Sequence, residues 1–224
     1  MKSLIVTGGG SGLGKELALL FSQKGFHILL AGRTVEKLTG VKHEIEASGG
    51  KADTLQLDVS NSEELSRVIG NASKKYAIHG VVNNAGVGHF GAFVEITEKQ
   101  INEMLDTNVI GTILVTKAVL PLLVDKGEGR VMNIISTAGL RGKVNEAVYC
   151  ASKFAVRGFT EALQKEYEGS NIKFNAVYMG GMKTPFWDAG DYVKDPSRLP
   201  SARSVAEVIM QQIDQDTIII ESKK

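Results

Sequence analysis

The sequence predicts an α/β protein: a doubly wound parallel sheet of about seven strands, helices on both faces, and one domain over residues 1–224. Three observations carry that prediction. Short apolar runs rich in Ile, Val and Leu recur along the chain. Stretches with helical spacing separate them. A glycine-rich turn joins the first apolar run to the first helical stretch. Alternating strand and helix signals are the pattern of a parallel sheet covered by crossover helices.

The strand candidates are Ser3–Thr7, His27–Ala31, Asp53–Asp58, Gly80–Asn84, Arg130–Ser136, Ile172–Tyr178 and Thr217–Glu221. Most lack polar alternation, as strands buried on both faces do. Leu13, Leu17, Leu20 and Phe21 form one helical stripe, and Ile101, Met104, Leu105 and Val109 begin a longer one. Long helices are expected at about Glu98–Val124 and Asn145–Tyr167. The pattern breaks at Met182–Ala202, which holds Pro185, Pro196 and Pro200. A loop this long in a compact domain is usually functional, so a substrate loop or lid is expected at about 182–202.

A length of 224 residues and a hydrophobic fraction of 43% suit one domain with a substantial core. The formal net charge of +1 argues against nucleic-acid or anionic-membrane partners. No uninterrupted apolar run of about 18 residues is present, so no membrane span is expected. A strand-like segment from Ser3 leaves no room for a signal peptide. Cys150 is the only cysteine, which excludes an internal disulfide and a Cys-based zinc site. A cytoplasmic protein without a metal is the expectation.

The turn TGGGSGLGKE lies where a doubly wound fold places a phosphate-binding loop. Glycines let backbone approach a pyrophosphate, and the helix start offers N–H groups and positive partial charge. Two spacings compete. Gly9 to Lys15 fits the opening of a P-loop, but the following position, which should be Ser or Thr, is Glu16. The other spacing is Gly8, Gly12 and Gly14.

Together with Asn83–Gly86 and the Tyr149-x-x-x-Lys153 spacing, this turn resembles that of the classical short-chain dehydrogenases/reductases, over almost the whole length and in the family's order. The resemblance implies a Rossmann-like fold, a nicotinamide cofactor and a carbonyl or secondary-alcohol substrate. It matches Gly8, Ser11, Gly12, Leu13 and Gly14 to the cofactor turn, Asp58 and Val59 to the adenine segment, and Asn84, Ala85 and Gly86 to the cofactor groove. It matches Asn108, Ser136, Tyr149 and Lys153 to the catalytic tetrad, with Ser136 thirteen positions before Tyr149. The family's usual Pro-Gly after the sixth strand is here Met179-Gly180, which loosens that turn, while Thr184 keeps the family's threonine position.

In such a scheme Tyr149 exchanges a proton with the substrate oxygen, Ser136 holds that oxygen, and Lys153 binds the nicotinamide ribose. Asn108 fixes a water leading to Lys153. A tyrosine hydroxyl has a reference pKa near 10, and lowering it by about three units requires roughly 4 kcal/mol. One cation about 4 Å away supplies on the order of 4 kcal/mol at an effective dielectric near 20. Lys153, one helical turn on, is therefore expected to lower Tyr149.

No carboxylate stands at Ala31, Gly32 or Arg33, where an NAD-specific site places one. Arg33 can fork to a 2′-phosphate, with Ser11 and Thr34 as further donors. NADP(H) is favoured over NAD(H), with Glu36 as a nearby complication. Substrate residues are expected from strand C-terminal ends: His89, Ala138, Leu140, Asn145, Phe186 and Trp187. The resemblance implies a homodimer or homotetramer built through the long helices. The competing reading is an NADP-binding sensor without catalysis, which has no need of the tetrad.

Overall fold

The computed structural model describes residues 1–187, 192, 195 and 198–221. Seven parallel strands form one sheet: β1 (Lys2–Thr7), β2 (His27–Gly32), β3 (Lys51–Gln56), β4 (Ala77–Asn83), β5 (Gly129–Ile134), β6 (Ile172–Met179) and β7 (Thr217–Ile220). Their spatial order is β3-β2-β1-β4-β5-β6-β7. The order reverses between β1 and β4, where a doubly wound sheet opens a crevice at its C-terminal edge.

Each strand feeds two cores by its period of two. Leu4, Val6, Ile28 and Leu30 face one core. Ile5, Leu29 and Ala31 face the other. Helices α1 (Gly12–Gln23), α2 (Val35–Ala47) and α7 (Ala202–Gln211) cover the first face through Leu17, Phe21, Leu38, Val41, Val205 and Ile209. Helices α3 (Ser62–Lys75), α5 (Thr112–Lys126) and α6 (Ala147–Glu166) cover the second through Leu65, Ile69, Val115, Val119 and Leu163. The stripe expected on α1 is buried at Leu13, Leu17 and Phe21, with Leu20 partly buried.

The long helix expected at Glu98–Val124 is interrupted. Helix α4 (Glu98–Leu105) runs into a wide π turn over Asp106–Gly111, and α5 follows. Such turns occur often at functional sites. This one holds Asn108, whose carbonyl accepts Thr112 Oγ1 at 2.8 Å. Gly111 lies where a Cβ would stand 2.7 Å from Val59 Cγ2, so the turn packs directly on the segment after β3.

By length and composition the helical run Glu98–Lys126 is apolar enough to cross a membrane, with a mean hydropathy of 1.7 over its best window. That qualifies the expectation drawn from uninterrupted apolar runs. The run carries Val115, Val119 and Leu123 into the core, as a central helix of a globular domain does.

Of the loop expected at 182–202, positions 188–191, 193, 194, 196 and 197 lie outside the described residues. Pro185–Trp187 form one 3-10 turn, and Lys183 bridges to Ser201 in parallel.

Candidate active site

The glycine turn leaves β1 at Thr7 and enters α1 at Gly12, with positive φ at Gly8 (63°) and Gly12 (53°). A Cβ on Gly14 would stand 2.4 Å from both Gly8 O and Asn84 Nδ2, so only glycine fits there. Asn84 stitches the turn to β4: its Nδ2 donates to the carbonyls of Thr7 and Gly8 at 3.1 and 3.3 Å. Thr7 Oγ1 returns the tie by accepting the amides of Asn84 and Ala85 at 3.0 and 3.1 Å. Ser11 caps α1 in extended backbone, yet its hydroxyl makes no capping hydrogen bond. The helix start therefore keeps its donors for an anion.

The P-loop spacing is excluded by where its side chains go. Lys15 Nζ pairs with Glu44 Oε1 of α2 at 2.7 Å, away from the turn. Glu16 Oε2 faces Arg203 of α7 at 3.6 Å.

A cleft of about 330 Å³ runs from this turn along the strand ends. Gly8, Ser11, Gly12, Leu13, Asn84, Ala85 and Gly86 line one end; Ser136, Tyr149, Lys153, Gly180, Thr184, Phe186 and Trp187 line the remainder. Among the other residues named from sequence, Arg33, Thr34, Asp58 and Val59 do not line it. Arg33 is exposed and lies 3.9 Å from Asp58 Oδ2. Burial raises the Asp58 carboxyl, but hydrogen bonds from Ser60, with Arg33 adding, leave it below the usual carboxylate value. Val59 is buried in the second core.

Four substrate candidates also stand away from the cleft. His89 Nε2 is 2.9 Å from Glu103 Oε2. Ala138 packs beneath Tyr149, and Leu140 packs beside Ile135 and Val156. Asn145 takes a left-handed φ of 62°, and its carbonyl accepts Gly91 N at 3.0 Å. Conversely, Lys37, Lys143 and Glu146 line the cleft and were not named. Glu146 caps α6 three positions before Tyr149, a spacing that could have drawn attention to it.

The catalytic candidates come from three elements. Asn108 sits in the π turn, its Oδ1 accepting Val87 N and its Nδ2 donating to Val87 O, both at 2.9 Å. The second Nδ2 hydrogen goes to Ser152 Oγ at 3.1 Å. Tyr149 and Lys153 lie one turn apart on α6, both buried. Lys153 Nζ donates to Ile134 O at 3.1 Å and lies 5.6 Å from the Tyr149 ring centroid.

Burial pushes the Tyr149 hydroxyl above its ordinary value, a hydrogen bond to Ser136 opposes this, and Glu146 adds to the rise. The lowering by Lys153 expected from spacing is therefore opposed by burial, which sets the direction at Tyr149. Desolvation penalises the phenolate more than one cation, set beside the ring, repays. Burial also lowers Lys153 to about 8, which leaves it mostly charged at neutral pH.

Ser136 follows β5 at φ 101°, ψ 150°, a region populated almost only by glycine. Ile135 N and Ser136 N both donate to Val177 O, Gly139 N donates to Ser136 O, and Ala138 N donates to Ser136 Oγ at 3.2 Å. These bonds hold a backbone strained by about 1–3 kcal/mol. Comparing Ser136→Gly with Ser136→Ala isolates that strain, because both lose the hydroxyl. The glycine variant is expected to be more stable by about 1–2 kcal/mol, reversing the usual order of the two residues. Urea melts reading the alanine variant as the more stable would show that the backbone is relaxed.

The family model described as short chain dehydrogenase matches residues 2–191. Sepiapterin reductase of Chlorobaculum tepidum is 29% identical over 97% of this chain and 93% of its own length. The 3-oxoacyl-acyl-carrier-protein reductase FabG of Thermotoga maritima is 33% identical over 82% of this chain and 75% of its own. Among solved structures, an actinorhodin polyketide ketoreductase variant with NADPH superposes with a TM-score of 0.88 at 29% identity, covering 98% of this chain and 95% of that one. An alcohol dehydrogenase of the archaeon Thermococcus sibiricus, complexed with 5-hydroxy-NADP, gives 0.87 at 25% identity, covering 99% and 94%.

Proposed function

The chain belongs to the short-chain dehydrogenase family, and from that premise we propose an NADP(H)-dependent oxidoreductase in which Tyr149 exchanges a proton with a carbonyl or secondary-alcohol oxygen. One observation carries this reading: Ser136, Tyr149 and Lys153 line the same cleft as the glycine turn. The turn fits a dinucleotide, with its backbone closed to side chains at Gly14, the Ser11 hydroxyl uncapped and the α1 amides open.

A bound nicotinamide supplies or takes the hydride; the protein supplies position and charge. Ser136 Oγ holds the substrate oxygen. Tyr149, kept protonated by burial, donates its proton to that oxygen during reduction. Lys153 stays charged at neutral pH, where it holds ribose hydroxyls and steadies negative charge as it develops on Tyr149. The Asn108 carboxamide is committed to Val87 and Ser152, so a water on the proton path would be held by its main-chain carbonyl.

Preference for the phosphorylated cofactor rests on Arg33, just after β2, and on Lys37, which lines the cleft from α2, with no carboxylate at positions 31–33 and Asp58 3.9 Å from Arg33. Solved relatives carry NADPH or NADP, and one carries NAD. NADPH oxidation is to be followed over aldehydes, diketones, keto esters and quinones, with NADH in parallel. A higher kcat/KM with NADPH is expected, and Arg33→Ala should lower it about tenfold while leaving NADH within about twofold. A clear NADH preference in the parent protein would refute the cofactor assignment.

Self-association is proposed through the α4–α5 run and α6, which keep Leu105, Ile110, Val124 and Phe154 exposed. Light scattering on a sizing column should give two or four times the 24.1 kDa chain mass; a monomer at micromolar concentration would sink this.

A further inference from the structure

Glu146 is a charged residue in an unexpected place. It lies at the N-terminus of α6, lines the cleft beside Tyr149, and its side chain is 8% exposed. Neither Glu146 oxygen is a buried atom lacking a partner among the described residues, so the one without a hydrogen bond is open to the cleft. Among the described residues the hydrogen-bond contact is at Oε1, where Tyr192 OH shares its one proton between Oε1 and Val144 O, both at 3.1 Å. The contact described for Oε2 is Lys143 Nζ at 3.9 Å, beyond hydrogen-bond distance.

Aromatic side chains share the cleft with Glu146. Phe186 and Trp187 line the cleft with Glu146. Phe90 stacks on Trp187 at 5.4 Å and on Tyr192 at 4.7 Å, with ring planes within 30°. Aromatic faces beside a carboxylate are the chemistry that recognises an ammonium group.

We propose that Glu146 is a specificity-determining residue that accepts a hydrogen bond from an amine carried by the substrate, making amino-substituted carbonyls or alcohols the preferred substrate class. The inference rests on the hydride-transfer reading above. Lys143, which also lines the cleft, is 29% exposed, so an incoming ammonium takes its place beside Oε2 and displaces a long contact, not a hydrogen bond. The amine belongs close to the reacting carbon, since Glu146 caps α6 three positions before Tyr149 and lines the same cleft. Such a cation would also offset the field through which Glu146 opposes ionisation of Tyr149.

The test uses matched ketones in which an ammonium replaces a methyl: aminoacetone against butanone, and α-aminoacetophenone against propiophenone. The parent protein should favour the amino member about tenfold or more in kcat/KM, and Glu146→Gln should bring the ratio near unity. Tyr192→Phe keeps the carboxylate and the ring stack and should keep the preference. NADPH dissociation constants check that each variant folds, and the parent and Tyr192→Phe ratios are read whether or not Glu146→Gln does. A parent ratio below about twofold, or one that Glu146→Gln leaves intact, overturns the inference alone. Loss of preference in Tyr192→Phe as complete as in Glu146→Gln overturns it too, since Glu146 would then act by anchoring the loop. Turnover of neither ketone with NADPH or NADH overturns the hydride-transfer reading and the inference with it.

Discussion

Tyr149→Phe is expected to lower kcat about a thousandfold while the NADPH dissociation constant stays within about twofold. Phenylalanine keeps the ring that packs on Phe90 at 5.3 Å and on Phe186 at 6.1 Å, so the wall of the cleft survives. What is lost is one hydroxyl, its hydrogen bond to Ser136 and the proton it carries. General acid catalysis contributes about 10²–10⁴-fold. Single-turnover NADPH oxidation measures the chemical step, and cofactor fluorescence measures binding. Normal reduction by a variant that still binds NADPH would remove Tyr149 from the mechanism.

The architecture was legible because burial on both faces leaves an unmistakable trace. A run such as His27–Ala31 has no polar alternation, and β2 indeed places Ile28 in one core and Leu29 in the other. Strand ends were less legible. Thr217–Ile220 stops one residue short of expectation, because pairing partners, not side chains, end a strand. The π turn was invisible, since no periodicity marks a single wide turn within an apolar helix. Asn108 was the clue: a poor helix former that repays its place by bonding to the Val87 backbone. Cleft residues from the glycine turn and from α6 were legible because regular elements position them. His89 and Asn145 were not placed by the same reasoning, because loop backbone decides which way such side chains face. For a related reason, spacing does not foretell that burial raises the Tyr149 hydroxyl. Spacing along a helix reports how close two groups are; it does not report how dry their surroundings are.

That dryness makes a second, opposite pair of effects measurable at Lys153. Lys153→Met should lower kcat at least a hundredfold and yet stabilise the fold at neutral pH. The lysine folds with a pKa of about 8 against a reference near 10.5, because burial disfavours its charge. Below pH 8 the chain must carry a buried cation, at a cost on the order of 3 kcal/mol. Between pH 8 and about 10.5 the folded form has released its proton while the unfolded form still binds one, so the penalty fades. Above that range both forms are neutral and the penalty is gone. Methionine removes the charge and nearly preserves the volume, but it leaves Ile134 O without a donor at 3.1 Å, which costs about 1 kcal/mol. The expected net gain at pH 7 is therefore about 2 kcal/mol, shrinking to a small loss by about pH 10.5. Urea unfolding of both proteins at several pH values reads it directly. A methionine variant less stable at pH 7, by a margin that pH does not change, would mean that the site solvates its cation and that Lys153 carries no stored cost. If the gap instead closes as pH rises, Lys153 is kept for its charge at the expense of the fold, as a group retained for proton chemistry would be.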